Sequence, residues 1–325
     1  MKTHSNPMLS IFFLIQALLF TLIPLTAAAQ NYPAKPIRIV VAATPGTATD
    51  NVARIFAPEM RNIIGQPLIV DNKPGADYRI GFEYVAKQMP ADGYTLVSVN
   101  VEILALLPVV STELQFNPLT DLPPVAGLGE GKYTMVVPAT TPWKTINEFV
   151  SNAKANPGKL NFGATSPIGR LSSEQFLNDA GIVLVHVPYR EASRYWVDLV
   201  TNVIQTGFVA VGTAITLGQK VKVLAVTGDN RSSQFPDVPT FKELGYPRIR
   251  GLTYTINVRA GTPRPIVEKL YATISQVLKQ DNVKTQLERF QINVAPETPD
   301  EAAASLASAA IAISETAKKI GMKPE

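Results

Sequence analysis

The stretch that decides the fold reads Ile37-Arg38-Ile39-Val40-Val41-Ala42-Ala43-Thr44-Pro45-Gly46-Thr47-Ala48-Thr49-Asp50. Its first six residues form a β-branched, apolar run, which predicts a buried strand. Its last eight are rich in turn residues, and apolar residues then recur at helical spacing as far as Ile63. Pro58 lies inside this pattern and predicts a kink or a break there. A strand, a turn and an amphipathic helix form the first half of an α/β unit.

The same alternation continues along the chain. Residues 68–70 and 94–99 predict strands on either side of a helix at 80–89, so the first hundred residues read as strand, helix, strand, helix, strand. A second set follows between residues 133 and 226, with strands at 133–137, 160–163, 183–187, 204–210 and 221–226 and helices at 145–155, 171–180 and 192–200. Two long amphipathic helices, at 262–279 and 299–320, end the chain. This order predicts an α/β protein with largely parallel sheets.

The N-terminus has the three parts of an export signal. Lys2 is followed by an apolar run over residues 11–25, and then by small residues that include Ala27 and Ala29. The apolar run is shorter than the ~20 residues needed to span a bilayer, which disfavours a retained anchor. We expect residues 1–29 to be a cleaved signal peptide, with the cut after Ala29, and the protein to act in the periplasm.

Composition removes several classes of function. The chain has 325 residues, of which 46% are hydrophobic and 17% charged, so most of it should be globular. It has no cysteine and only two histidines, His4 and His186, which excludes thiolate chemistry and a His-rich metal site. The net charge of +4 is spread along the chain, and we expect no nucleic-acid partner.

Catalytic motifs are equally scarce. Residues 127–132 read Gly-Leu-Gly-Glu-Gly-Lys, but the spacing is not that of a phosphate-binding loop and no helix is predicted to follow. His186 is interpreted as an ordinary histidine at a strand end. We therefore predict no enzymatic activity, no cofactor and no metal. A secreted hydrolase built on carboxylates and tyrosine stays open as an alternative.

Strand-to-helix turns are the more informative feature. Residues 44–50, 73–80 and 163–171 each precede a predicted helix, and a helix N-terminus presents unpaired N–H groups that suit a carboxylate. If these turns faced one cleft, they would form an anion site without any catalytic residue.

A family resemblance gives these turns a meaning. Landmarks in matching order and spacing are found along nearly the whole chain after the signal: Pro45-Gly46-x-x-x-Asp50-x-x-Ala53-Arg54, Gly65-Gln66-Pro67-x-x-Val70-x-Asn72-x-Pro74-Gly75-Ala76, Asp92-Gly93-Tyr94-Thr95-Leu96, Val187-Pro188-Tyr189, Pro236-Asp237-Val238-Pro239-Thr240 and Ala260-Gly261-Thr262-Pro263. The sequence resembles the Bug receptors, which are the TctC-like substrate-binding proteins of tripartite tricarboxylate transporters.

The resemblance implies a two-domain periplasmic binding protein of type II-like architecture. Each domain would be a mainly parallel sheet flanked by helices, with the ligand cleft between them. Domain 1 would comprise residues 30–128 and 254–325, and domain 2 residues 129–253. The ligand would be a small carboxylate, meaning a di- or tricarboxylate, an aromatic acid or an amino acid. The expected ligand-binding residues are Thr44, Pro45, Gly46, Thr47, Ala48, Thr49, Asp50, Gly75, Ala76, Tyr78, Arg79, Ser166, Gly169, Arg170, Tyr189 and Val209.

The expected cleft departs from the family pattern. Where the family usually reads Gly-Ala-Gly-Gly-Asn-Ile-Gly, residues 75–81 read Gly-Ala-Asp-Tyr-Arg-Ile-Gly. Thr47 and Thr49 should hold one carboxylate with the N–H groups of residues 46–50. Arg79 or Arg170 should pair with a second carboxylate. Tyr189 and Val209 should line the wall.

The partners implied are a small organic anion and either the membrane subunits of a transporter or a sensor protein, with the receptor itself a monomer. A ligand-free partner of a sensor protein is the remaining alternative. The residues do not determine which carboxylate is bound.

Overall fold

The computed structural model describes residues 32–189 and 191–322. The predicted signal peptide, residues 1–29, lies outside the described residues. Within the described ranges, no helix is both long enough and apolar enough to cross a membrane.

The first half of the chain builds one sheet and begins a second. Its strands and helices are β1 (Ile37–Val41), α1 (Ala48–Ile64), β2 (Leu68–Asn72), α2 (Arg79–Glu83) with a π-helical turn at Tyr84–Gln88, β3 (Thr95–Asn100), α3 (Val101–Val110), α4 (Pro118–Asp121), β4 (Pro124–Gly131), β5 (Tyr133–Pro138), α5 (Ile146–Ala155) and β6 (Asn161–Ala164).

The second half completes both sheets. Its elements are α6 (Pro167–Ala180), β7 (Val185–Pro188), α7 (Ala192–Val200), β8 (Thr206–Ala210), α8 (Val211–Leu217) with a 3₁₀ turn at Gly218–Lys220, β9 (Val221–Val226), β10 (Leu252–Val258), α9 (Arg264–Leu278), α10 (Asp281–Arg289), β11 (Ile292–Glu297) and α11 (Pro299–Lys319).

The first sheet has six strands in the order β11-β4-β10-β3-β1-β2. Strand β1 pairs in parallel with β2 and β3, whereas β10 runs antiparallel to both β3 and β4. Strand β3 is buried at every position, as expected of a strand covered on both faces. Since β1, β2 and β3 are parallel, the loops that follow β1 and β2 and the start of α3 lie at one edge of this sheet.

The second sheet has five strands in the order β7-β6-β8-β5-β9. Strand β6 pairs in parallel with β7 and β8, and β5 runs antiparallel to β8 and β9. One face carries an aromatic core around Phe149, Phe162, Phe176, Phe208 and Phe241. The opposite face packs a smaller cluster that includes Tyr195 and Val209.

The α/β prediction is confirmed, with four of six strands in the first sheet and four of five in the second pointing the same way. Sequence reasoning did not predict β10, an antiparallel strand that lies between β3 and β4 in the first sheet. Helix α1 is continuous from Ala48 to Ile64 and contains Pro58, so the predicted break at Pro58 is wrong. Proline lacks an N–H, but residue 58 lies on a helix whose apolar face is held by tertiary packing against β1, β2 and β3.

The chain passes between the sheets twice. Lys132 alone separates β4 of the first sheet from β5 of the second. The return runs from the end of β9 at Val226 to the start of β10 at Leu252. The domain bounds that the family resemblance implies, at 128/129 and 253/254, fall in β4 and β10, next to these two passages. The assignment of the two sheets to two domains stays a prediction.

Candidate functional site

The loop after β1 is held together by one buried carboxylate. Asp50 is 1% exposed. Its Oδ2 accepts the Gly46 N–H at 2.8 Å and Arg54 Nε at 2.9 Å, and its Oδ1 accepts Asn72 Nδ2 at 2.9 Å. Burial alone would raise the pKa of Asp50, but the hydrogen bonds from Arg54, Gly46 and Asn72 hold it below its ordinary value. Asp50 and the Gly46 N–H are therefore engaged with each other.

The start of α1 keeps its first-turn donors uncapped. Thr47 is the N-cap residue, but its side chain makes no capping hydrogen bond. The Thr47 hydroxyl donates instead to the Thr44 carbonyl at 3.0 Å, and its oxygen lies 3.3 Å from that of Thr49. The first N–H groups of a helix have no intrahelical acceptor, which leaves those of Ala48, Thr49 and Asp50 without one inside α1. Pro45 lies exposed at the tip of this loop.

The loop after β2 has an unusual backbone. Ala76, Asp77 and Tyr78 all have positive φ, at 46°, 48° and 74°. Three consecutive residues with side chains in the left-handed region cost about 1–2 kcal/mol each, and strain of this kind is commonly found at binding sites. Gly75, at φ 124°, precedes them.

Gly81 holds this second loop against the first. A Cβ at Gly81 would lie 2.7 Å from the Ala42 Cβ and 2.8 Å from the Lys73 carbonyl oxygen. Only glycine permits this approach, so the segment that carries Tyr78 lies directly beside the end of β1.

Tyr78 meets three groups from other elements. Burial raises its pKa, the nearby Tyr133 phenol adds to the shift, and a hydrogen bond with Ser166 opposes it. Tyr133, at the start of β5, also hydrogen-bonds to Ser166, and Tyr254 on β10 is influenced by both Tyr133 and Tyr78. We call Tyr78, Tyr133, Tyr254 and Ser166 the phenol cluster. Two of its members come from the first sheet's side and two from the second's.

Asn100 adds a further donor beside the phenol cluster. It ends β3, is 4% exposed, and faces Tyr254 in the register of β3 and β10. Burial raises the Tyr254 pKa, and the neighbouring Asn100 side chain offsets part of that rise. The Nδ2 of Asn100 has no acceptor among the described residues. Because raised pKa values keep the phenols protonated, these side chains are neutral hydrogen-bond donors at neutral pH.

Three residues that were predicted to bind ligand, Ser166, Gly169 and Arg170, lie at the start of α6. Ser166 is the N-cap of α6, and its oxygen accepts the Gly169 N–H at 3.2 Å. Arg170 lies 3.8 Å from Glu174 on the same helix, and Arg79 lies 3.9 Å from Glu113. Each predicted arginine thus lies against a glutamate.

Tyr189 and Val209 have different surroundings from those expected of wall residues. The Tyr189 hydroxyl donates to Asp198 at 2.9 Å, and its ring packs edge-on against Tyr195. Val209 is 3% exposed and packs in the smaller core cluster of the second sheet, because it lies on the strand face opposite to Phe208.

The residues of the hydrolase alternative are engaged elsewhere. His186 stacks on Phe162 with 4.9 Å between ring centroids, on adjacent strands. Asp50 makes its hydrogen bonds to the first loop and to Arg54 and Asn72. In the part of the chain that the structure describes, no three histidine, aspartate or glutamate side chains are grouped as metal ligands.

Sequence reasoning missed Tyr133, Tyr254 and Asn100. Tyr133 opens a predicted strand, and Tyr254 is next to the implied domain bound at 253/254, but nothing in the local pattern links them to Tyr78. The only sequence feature that could have identified these three residues is their position, because each is a polar residue near a strand end or near an implied domain bound.

A large cavity lies next to the phenol cluster, although no member of the cluster lines it, and Glu102 on its wall adds to the raised pKa of Tyr133 and Tyr254. It has a volume of about 930 Å³ and is bounded by Glu102 on α3, by α6, by residues 247–253 and by α11. We call it the Glu102 cavity. Of the sixteen predicted ligand-binding residues, none lines it. Beside Tyr78, by contrast, α3 and the start of α6 enclose only a narrow apolar space with no room for a water molecule.

Comparison with known proteins agrees with the fold. Residues 52–317 match the model of the tripartite tricarboxylate transporter family receptor, TctC. A Cupriavidus necator protein described as the UPF0065 protein in the gbd 5' region is 32% identical over 272 residues, which cover 83% of this chain and 82% of that protein.

Two solved structures were determined with carboxylates. R. palustris Rpa4515 with adipate superposes with a TM-score of 0.83 at 26% identity, covering 91% of this chain and 100% of that one. MatC from Rhodopseudomonas palustris with bound malate gives a TM-score of 0.77 at 26% identity, covering 88% and 99%. The two sheets, their parallel edges and these matches agree, and this chain belongs to the TctC receptor family of periplasmic binding proteins.

Proposed function

We propose that this receptor captures a small carboxylate at the phenol cluster and the start of α1, and delivers it to a tripartite tricarboxylate transporter. The observation that carries the proposal is the meeting of Tyr78, Tyr133, Tyr254 and Ser166 from both sheets. The uncapped first turn of α1 lies at the same edge of the first sheet as the loop that carries Tyr78. The structural neighbours with adipate and malate support a carboxylate as the ligand class.

Neutral donors suit this task. Phenol, hydroxyl and amide groups, together with a helix N-terminus, can bind an anion without a fixed positive charge. The carboxylate would accept from the N–H groups of Ala48 and Thr49 and from the Tyr78 hydroxyl. The Asn100 amide would supply the next donor. Arg79 and Arg170 are available to a second carboxylate, in competition with Glu113 and Glu174.

Asp50 has a supporting role in this proposal. Its hydrogen bonds to Gly46, Arg54 and Asn72 fix the shape of the first loop and so aim the first turn of α1. Ligand contact would come from the backbone of that turn, not from the Asp50 carboxylate.

Ligand entry requires the sheets to move apart. The space next to Tyr78 holds no water-sized opening, so it has to widen before a ligand can reach the Tyr78 hydroxyl from this side. We assign residues 30–128 with 254–325 to one lobe and 129–253 to the other. Lys132 and the segment leading into β10 are the two connections about which the lobes would rotate. Export with cleavage after Ala29 would place the receptor in the periplasm. We expect it to act there as a monomer.

Calorimetric titration with malate, adipate and benzoate tests the proposal. We expect saturable binding of at least one, weakened about tenfold by Tyr78→Phe or Tyr133→Phe, because each removes one donor to a charged acceptor. Tyr271→Phe, a tyrosine on α9 outside the phenol cluster, is the matched control and should bind as the parent does. Binding unaffected by both cluster variants would place the site elsewhere, and no binding of any organic anion at millimolar concentration would refute the function.

A further inference from the structure

The Glu102 cavity is large enough for a small organic molecule. Its volume of about 930 Å³ lies within the range of ligand pockets, which is roughly 300–1,000 Å³. Its lining mixes apolar side chains, such as Ile168, Leu171 and Ile313, with polar ones. It needs an account of its own, since none of the carboxylate-binding residues proposed above lines it.

The wall formed by the first sheet is acidic. Glu130 on β4 and Glu297 on β11 lie on this wall, and Glu102 lines the cavity from the first turn of α3. Glu102 Oε2 accepts the Thr253 N–H at 2.9 Å. Burial raises the pKa of Glu102 to about 7, opposed by hydrogen bonds from Thr253, and the charge acting on it is that of another carboxylate, Glu130. Ionised Glu102 therefore stands near a like charge in a half-buried position.

Two of the four basic side chains that line the cavity, Lys242 and Arg248, form ion pairs with aspartates. Lys242 Nζ lies 2.5 Å from Asp229, and Arg250 also acts on Asp229. Arg248 pairs with Asp179 through its Nε at 3.2 Å and its Nη2. Lys319 lies exposed at the end of α11, beyond the exposed Glu315.

A buried acceptor on α6 lacks a donor. Gln175 lines the cavity and is 3% exposed. Its Nε2 donates to Asp179 at 2.7 Å, which fixes the orientation of the amide, because the reverse orientation would place oxygen against a carboxylate. The Gln175 Oε1 has no donor in residues 32–189 and 191–322. An unsatisfied buried acceptor is costly, so a ligand donor that reaches this oxygen through a small shift of the Gln175 side chain would be favourable.

We propose that the Glu102 cavity is a second binding site and takes a small primary ammonium compound. Glu102 would be the counter-ion, the Gln175 amide oxygen a second acceptor, and Ile168, Leu171 and Ile313 the contacts for the aliphatic part. The inference goes beyond carboxylate capture and does not depend on it, because the two sites lie on different residues and select opposite charges.

A matched four-carbon series tests this site by calorimetry at pH 8, where Glu102 is ionised. The probes are butylamine, 1,4-diaminobutane, 4-aminobutanoate and butanoate. We expect the three amines to bind and Glu102→Gln to weaken them at least about tenfold, since a charged hydrogen-bonded contact is lost. Glu315→Gln is the control, with the same loss of charge on an exposed residue of the same cavity.

A second variant tests the charge preference of the cavity while Glu102 stays in place. Ser172 lines the cavity from α6, and Ser172→Lys would place an ammonium group of the protein there. It should also weaken amine binding about tenfold while carboxylate binding at the phenol cluster stays unchanged. The proposal is overturned if no amine binds, or if neither variant alters amine affinity. It is also overturned if the affinity of the cavity for butanoate equals its affinity for butylamine.

Discussion

Replacing Glu102 by glutamine should make the receptor more stable at alkaline pH. Glu102 lies in the first turn of α3, half-buried, with one oxygen on the Thr253 N–H at 2.9 Å. Gln keeps an acceptor for that N–H and resembles the protonated carboxyl in size. The substitution therefore removes the charge with little change in packing.

The magnitude follows from the pKa of the folded protein. Burial, with the charge of Glu130 in addition, moves the Glu102 pKa from its ordinary 4.5 to about 7. At about 1.4 kcal/mol for each pH unit between those values, the ionised carboxylate costs the folded state about 3 kcal/mol. The sign is that of a raised acid pKa: stability is fully present below pH 4.5 and is lost as the pH rises through 7.

The difference between the parent protein and Glu102→Gln isolates this contribution, because all other titrating groups are shared. We expect the variant to be more stable by about 3 kcal/mol at pH 8 and by only about 1 kcal/mol at pH 5.5. Urea unfolding followed by circular dichroism at both pH values measures it, with Glu315→Gln as the charge-matched control. A pH-independent difference, or a variant less stable than the parent at pH 8, would refute the reasoning.

Three further predictions concern the first loop, the second loop and the second core cluster. Asp50→Asn should destabilise the protein by about 2–4 kcal/mol at neutral pH in urea unfolding, because charged hydrogen bonds are weakened; the lowered pKa means that this loss fades only below about pH 4. Tyr195→Phe should be neutral or stabilising by about 1 kcal/mol, since the buried Tyr195 hydroxyl has no partner among the described residues, and a large loss of stability would contradict this. Tyr78→Gly should relieve the positive φ and open the space beside α3, so calorimetry should show adipate affinity rising relative to malate; an unchanged ratio would argue that Tyr78 does not shape the cleft.

The local pattern of the sequence was enough for most of the α/β scaffold. The strand at β1 and the helices α1, α5, α7, α9 and α11 were predicted to within a few residues. These elements carry strong apolar periodicity and clear start and stop residues, which are local properties. Helix α3 was missed because residues 101–107 are apolar on nearly all sides and contain no amphipathic signal.

For the candidate site, too, only the local features were predicted from the sequence. Sequence reasoning identified the loops, and the resemblance named Tyr78 and Ser166 among their residues. It did not foresee that Asp50 would be engaged with Gly46, Arg54 and Asn72, or that Val209 would lie in a core cluster. Both outcomes depend on which strand lies beside which, and on the face that a residue presents once its strand is paired.

By itself, the sequence determined the class of fold, the strand-to-helix turns that present N–H groups, and the lack of thiol and His-rich chemistry. Only the tertiary structure decided that Tyr78, Tyr133 and Tyr254, which are far apart in the chain, form one neutral donor cluster. The same is true of Glu102, Gln175 and the distant helix α11, which enclose a separate cavity. The physical reason is that backbone propensity acts over a few residues, whereas burial, charge and hydrogen bonding depend on neighbours that only the packing of two sheets brings into contact.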